Sequence, residues 1–171
     1  MRISIVGLSG SGKSTLARKI SEKFNIPHLH IDRFWFEAGG HKTAGNSEER
    51  ERVRAVIKEK VEEVVKQDAW VSDGWYGHVQ PIITARADDV VFLDIPLYKR
   101  LANHLRRTFF EERHTELTRW DDIKFVYQII RRTFVHGPRL RDFARENASK
   151  IKIIHSFKEA DNYFANLNLK K

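Results

Sequence analysis

The residues with the clearest chemistry stand near the start: Gly7-Leu8-Ser9-Gly10-Ser11-Gly12-Lys13-Ser14, in the order G-x-x-x-x-G-K-[ST]. Glycines admit positive φ, so the backbone can turn its N–H groups onto an anion at close range. A helix beginning near Lys13 adds free N–H groups and its positive dipole end. The Lys13 ammonium can reach β- and γ-phosphates, and the Ser14 hydroxyl is a hard oxygen ligand suited to Mg²⁺. Gly7, Ser9, Gly10, Ser11, Gly12, Lys13 and Ser14 are therefore the expected contacts to ATP and its metal, with Thr15 a lesser contact to the α-phosphate. A bare glycine turn between a strand and a helix would need neither the lysine nor the serine.

Two aspartates follow at strand-like ends. Asp73-Gly74 comes directly after the apolar run 69–72, and Asp32 closes the pattern His28-Leu29-His30-Ile31-Asp32. The carboxyl ends of parallel strands are where open α/β sheets bind ligands. Asp73 is expected to share Mg²⁺ with Ser14, through water. Asp32 is expected to orient an attacking hydroxyl or take its proton. The plainer readings are a turn aspartate for Asp73, since Asp-Gly is ordinary turn chemistry, and a solvated or capping aspartate for Asp32. Arg33 reads equally as an anion contact or a surface residue.

These residues need a frame. Short β-branched runs at 3–6, 69–72, 90–93 and 151–154, with a weaker one at 28–31, end in Gly, Asp, Pro or Ser. Between them, Leu16, Ile20 and Phe24 share a helical face. So do Val53, Ile57, Val61, Val64 and Val65 over 48–67, and Leu97, Leu101 and Leu105 further on. Ser156-Phe157-Lys158-Glu159 is a capping box opening a last helix. Gly39, Gly40 and Gly45 mark a flexible loop before the 48–67 helix. Residues 97–150 read as helices joined by a charged loop near 111–118. Strands alternating with amphipathic helices imply a parallel sheet covered on both faces.

Composition narrows the setting. The chain has 171 residues, no cysteine, and 31 Lys+Arg against 23 Asp+Glu, a net charge of +8. Without cysteine there is no disulfide framework, thiol catalysis or Cys-ligated metal. The run 3–6 is too short for a signal peptide, and no apolar run nears the ~20 residues of a membrane span. One domain over 1–171, cytoplasmic and without a membrane partner, is the expectation.

The phosphate loop, an acid after the second strand and Asp73-Gly74 after the third together resemble the adenylate-kinase-like branch of P-loop kinases. Ser14-Thr15-Leu16-Ala17-Arg18-Lys19, Asn25-Ile26-Pro27, His30-Ile31-Asp32, Asp68-Ala69-Trp70-Val71 and Val91-Phe92-Leu93-Asp94-Ile95-Pro96 are closer still to the bacterial "DNA topology modulation" proteins related to it. That resemblance implies a three-layer P-loop NTPase fold with a five-stranded parallel sheet ordered 2-3-1-4-5, ATP with Mg²⁺, and a mobile Arg-bearing lid, here about 97–150. Adenylate kinases carry Asp-Gly-Phe-Pro-Arg, with the arginine on the acceptor phosphate. This chain reads Asp73-Gly74-Trp75-Tyr76-Gly77 and has no arginine there.

Residues 97–150 hold 13 Lys+Arg and 7 Asp+Glu, a net +6. Arg106, Arg107, Arg113, Arg119, Arg131 and Arg132 are the candidates to clamp transferring phosphates. Arg107 and Arg119 resemble the lid-flanking arginines of adenylate kinases. Phe34-Trp35-Phe36 and Trp75-Tyr76 read either as a stacking platform for an acceptor ring or as core closure. The histidines show no metal-ligand spacing; His28 and the others read as structural or surface, with His78 a weaker acceptor contact. An ATP- and Mg²⁺-dependent phosphotransferase with a small-molecule acceptor, nucleoside or nucleotide included, is the leading expectation. The alternatives are a nucleic-acid-associated protein using its basic helices, or a regulatory nucleotide-binding module without an acceptor. The former finds no helix-turn-helix, zinc-finger or RNA-binding signature.

Overall fold

The structure, a computed structural model, describes residues 1–43, 46–110 and 119–168, the side chains of 107–110 and 119–123 excepted. Five strands are found among them: β1 (Arg2–Gly7), β2 (His28–His30), β3 (Trp70–Asp73), β4 (Asp89–Leu93) and β5 (Ile151–Ile154). They form one parallel sheet in the order β2-β3-β1-β4-β5, the order implied by the resemblance. The helices are α1 (Lys13–Phe24), α2 (Ile31–Glu37), α3 (Ser47–Val64), α4 (Gln80–Arg86), α5 (Leu97–Phe110), α6 (Arg119–Glu146) and α7 (Phe157–Ala165). The expected charged loop at 111–118 lies outside the described residues. No helix among those described is long and apolar enough to cross a membrane.

Strand alternation divides the core between the two sheet faces. Ile3, Ile5, Val71, Val91 and Leu93 pack with Leu16, Ala17 and Ile20 of α1 and with Ala160 and Tyr163 of α7. Val6, Leu29, Trp70, Val90 and Phe92 face the other way, onto Val53, Ile57 and Val61 of α3, Ile83 of α4 and Leu140 of α6. Each fully buried aliphatic side chain contributes about 1.5–3 kcal/mol, so both covers fix the sheet whose edge carries the site. At the start of α7, the Glu159 N–H donates to the Ser156 hydroxyl oxygen at 3.2 Å, and the glutamate accepts from the His155 N–H at 2.9 Å. That is the expected capping box, reaching one residue further back.

Two expected boundaries move. The helix expected over 48–67 is Ser47–Val64, with the Asn46 side chain accepting from the Glu49 N–H. Of the loop expected before it at Gly39, Gly40 and Gly45, the structure instead gives α2 and a 3₁₀ turn, Gly40–Lys42, while Gly45 lies outside the described residues. The aromatic triplet has modest helix propensity, but Phe34 and Trp35 pack against the α3 side of the core, and that burial stabilises the extra turn. Gly40 makes that packing possible, since a Cβ there would stand 2.3 Å from the Trp35 ring. Gly40→Ala is expected to cost about 1–3 kcal/mol through overpacking, read as a lower midpoint in urea unfolding. Unchanged stability would show that Trp35 moves aside freely.

Candidate active site

β1 delivers the phosphate loop to the carboxyl edge of the sheet, with Gly7 paired to Leu93 of β4. A Cβ at Gly7 would meet Ser11 Oγ at 2.7 Å, so the loop folds back on its own strand. Gly10 and Gly12 hold φ of +81° and +85°, in the region that favours glycine. Gly12 is the N-cap of α1 and offers no side-chain cap, leaving the first-turn amides for an external anion. Ser11 Oγ is buried without a partner, and Lys13 has no carboxylate partner among the described residues. An orphaned hydroxyl, uncapped amides and an unpaired ammonium together fit a polyphosphate. Thr15 is exposed beside them.

The loop is braced from below by a residue that sequence reasoning missed. Arg100 of α5 is 2% exposed. It donates to the Ser9 carbonyl at 3.0 Å, the Ile95 carbonyl at 2.9 Å and the Thr133 hydroxyl at 2.8 Å. Burial pulls its pKa down, with Asp94 opposing. Arg132 of α6 donates to the Ser9 hydroxyl at 3.2 Å, so one of the predicted clamp arginines stands on the loop itself. Both helices of the arginine-rich segment therefore grip Ser9.

Asp73, the last residue of β3, is fully buried. The Ser14 hydroxyl donates to its Oδ2, and His28 Nε2 lies 2.8 Å from Oδ1. His30 Nδ1 is 3.6 Å from the same oxygen, and the two imidazoles stack. Burial opposes the charge, yet the His28 and Ser14 bonds and the nearby imidazoles outweigh it and hold the carboxyl below its ordinary value. An ionised carboxylate touching a hydroxyl is a hard oxygen pair that fits Mg²⁺. The histidines predicted to be structural thus include one bonded to a predicted metal ligand.

The depressed pKa has a stability consequence. The ionised Asp73 stabilises the fold at any pH above the unfolded carboxylate's value, near 3.9. That contribution is lost as pH falls through the lower folded value. Asp73→Asn is expected to show a smaller loss of melting temperature between about pH 4 and pH 2 than the parent chain. Equal acid sensitivity would mean that other carboxylates dominate this window.

Asp32 lies in the first turn of α2, beyond the end of β2, and is exposed. The Tyr76 hydroxyl donates to its Oδ1 at 2.9 Å. Burial and the Asp32 charge push the Tyr76 pKa up, which keeps the phenol protonated as a donor. Arg33 turns instead along α2 to Glu37 at 2.7 Å. Arg107 and Arg119 fall on α5 and α6, but their side chains, like all of Arg113, lie outside the described residues.

Two cavities flank the loop. One, of about 920 Å³, is lined by Gly7, Ser9, Lys13, Asp32, Trp75 and Tyr76, with further walls from α2, α3 and α6. The other, of about 620 Å³, is lined by Ser11, Gly12 and Thr15 together with Lys99, Arg106 and Phe157. The loop is thus shared between two spaces. The aromatic triplet divides its roles: Phe34 and Trp35 pack on the core, whereas Trp35 and Phe36 also line the larger cavity. His78 lines it too, as do Arg50 and Arg54 of α3, which had no distinguishing mark in the sequence.

The chain is similar to several known kinases. An adenylate kinase of Lactiplantibacillus plantarum is 28% identical over 86 residues, 44% of this chain and only 39% of that enzyme's length. A shikimate kinase of Sulfurihydrogenibium sp. is 27% identical over 137 residues, 74% of this chain and 82% of that protein. The crystal structure of shikimate kinase from Bacteroides thetaiotaomicron superposes with a TM-score of 0.61 at 17% identity, covering 96% of this chain and 94% of that one. Shikimate kinase from Acinetobacter baumannii, in complex with shikimate, gives 0.59 at 18%, covering 96% and 88%. At such identities the structural likeness shows the fold alone. The profile described as "AAA domain" matches residues 6–124, most of the chain. This chain therefore belongs to the AAA domain family, in a kinase-like P-loop group related at low identity to adenylate and shikimate kinases.

Proposed function

We propose that the chain is an ATP- and Mg²⁺-dependent phosphotransferase acting on a small-molecule acceptor. The observation that carries this reading is the phosphate loop standing between two cavities, with Lys13 facing the larger and Gly12 and Thr15 the smaller. In this reading the nucleoside lies in the smaller cavity, beside Phe157 and Arg106, and the triphosphate runs over the loop amides. Its terminal phosphoryl is then presented to the larger cavity, where the acceptor sits. The family kinship supports a kinase, and the departure of Trp75-Tyr76-Gly77 from the adenylate kinase pattern argues against taking its acceptor over unchanged.

Magnesium, held by Ser14 and Asp73, would neutralise charge on the β- and γ-phosphates when bound. The chain's own residues do the rest. Loop amides and Lys13 hold the phosphates, and Arg132, fixed at Ser9, adds positive charge beside them. Asp32 receives the acceptor's hydroxyl proton as that oxygen bonds to the γ-phosphorus. The bond from that phosphorus to the bridging oxygen breaks, and ADP leaves with the electron pair. Such catalysis is positioning plus charge stabilisation. ADP release should be measured over nucleosides, nucleoside monophosphates and hydroxylated acids. Acceptor-dependent ADP formation is expected; turnover unaffected by every acceptor would overturn the reading and favour a regulatory nucleotide-binding module.

A further inference from the structure

Resting on the phosphotransferase reading, we infer that Arg100 is a positioning residue for the terminal phosphoryl: from beneath the loop it fixes the Ser9–Gly10 peptide and makes the site select a triphosphate over a diphosphate. The chemistry starts from that peptide. No described peptide bond is cis, so the Ser9 carbonyl and the Gly10 N–H point opposite ways. Arg100 donates to the carbonyl at 3.0 Å. The Gly10 N–H is thereby turned away from the guanidinium, toward the side where phosphates would lie, and it has no hydrogen-bond partner among the described residues. Glycine takes positive and negative φ about equally, so Gly10, at +81°, does not by itself hold the peptide in this sense. The lock has to come from outside the loop.

Both helices of the arginine-rich segment supply it. A Cβ at Gly10 would stand 3.3 Å from Arg100 Cβ and 3.6 Å from Ile129 Cδ1, so the loop rests directly on α5 and α6. Arg100 also donates to Thr133 Oγ1 at 2.8 Å, and the neighbouring Arg132 donates to the Ser9 hydroxyl at 3.2 Å. Ser9, Arg100, Thr133 and Arg132 thus close one ring through loop, α5 and α6. The ring lies at one end of the loop: Ser9 and Lys13 line the larger cavity, whereas Ser11, Gly12 and Thr15 line the smaller. In the proposed arrangement that end carries the terminal phosphoryl, which a diphosphate lacks. The charge points the same way. Arg100 is 2% exposed, its three partners are neutral oxygens, and Asp94, the acid acting on it, makes no ion pair with it. Holding a buried cation without an anion is costly, and a phosphate seated above the loop offsets that cost.

The test is calorimetric titration of the full chain and its variants with adenosine 5′-(β,γ-imido)triphosphate and, separately, with ADP, both with Mg²⁺. The quantity read is the ratio of the two dissociation constants. Arg100→Met keeps the bulk and removes the charge and its hydrogen bonds; it is expected to shift the ratio about tenfold or more toward ADP. Arg100→Lys keeps the charge without the planar fork and should recover part of that loss. Thr133→Val frees one arm of the guanidinium and leaves its charge in place, so a shift of about threefold toward ADP is expected. It carries the test alone if urea unfolding shows that Arg100→Met has no folded state. A brace that serves only to hold the fold together would weaken both nucleotides alike. A ratio unmoved in folded Arg100→Met, or in Thr133→Val where Arg100→Met does not fold, overturns the inference and leaves the phosphotransferase reading standing. Failure of the parent chain to bind the imidotriphosphate overturns both.

Discussion

Replacing Lys13 by alanine is expected to cut acceptor-dependent ADP formation by about 10²–10³-fold or more, the scale seen when one preorganised charge-stabilising group is removed. The lysine opens α1 and is half-buried, with no carboxylate partner among the described residues. Its ammonium is therefore available to a phosphate at no cost in broken ion pairs. Alanine is the best helix former, and the site is a first-turn position, so unfolding stability should stay within about 1 kcal/mol of the parent. The effect should divide between weaker nucleotide binding and a lower turnover number, because the same charge meets ground-state phosphates and the transition state. Lys13→Arg restores charge, but its planar fork on a bulkier stem cannot reproduce a point charge, and partial recovery is expected. Rates within tenfold of the parent for Lys13→Ala would place the phosphates elsewhere, and the loop would then be only a turn.

How much of this was legible without coordinates depends on how far apart the partners lie in the chain. The phosphate loop is eight contiguous residues whose chemistry is local, and its strand and helix flanks follow from period alone. The sheet order came through resemblance, not periodicity, since strand runs name no neighbours. Asp73 was legible as a strand end; its bond to His28 was not, because that contact needs β2 beside β3, with His30 opposite Asp73 across a register no local pattern encodes. Arg100 looked like any other helix-surface cation, until the fold put it under Ser9. Arg50 and Arg54 sit in a charged run ordinary for a solvated face, and only the fold, which brings Val53 and Leu140 into one core cluster, turns that face toward a cavity. The missed α2 has the same origin, being set by the burial of Phe34 and Trp35 against the α3 side of the core.

Asp32→Asn is the sharper test of chemistry, because its effect should fall on one step. Asp32 is the carboxylate of the larger cavity, held by the Tyr76 hydroxyl and set apart from the loop residues proposed to bind phosphate. Nucleotide affinity should therefore hold, while the turnover number falls by about 10²–10⁴-fold, the usual contribution of a positioned proton acceptor. Asparagine keeps the shape and can still accept from Tyr76, so a stability change is not expected to explain the loss. Tyr76→Phe separates orientation from proton transfer. It removes one neutral-to-charged hydrogen bond of about 1.5–3 kcal/mol at most, leaves the carboxylate in place, and should cost less than Asp32→Asn in the same assay. A turnover number within tenfold of the parent for Asp32→Asn would mean that another group takes the proton, and that Asp32 serves to position the acceptor alone.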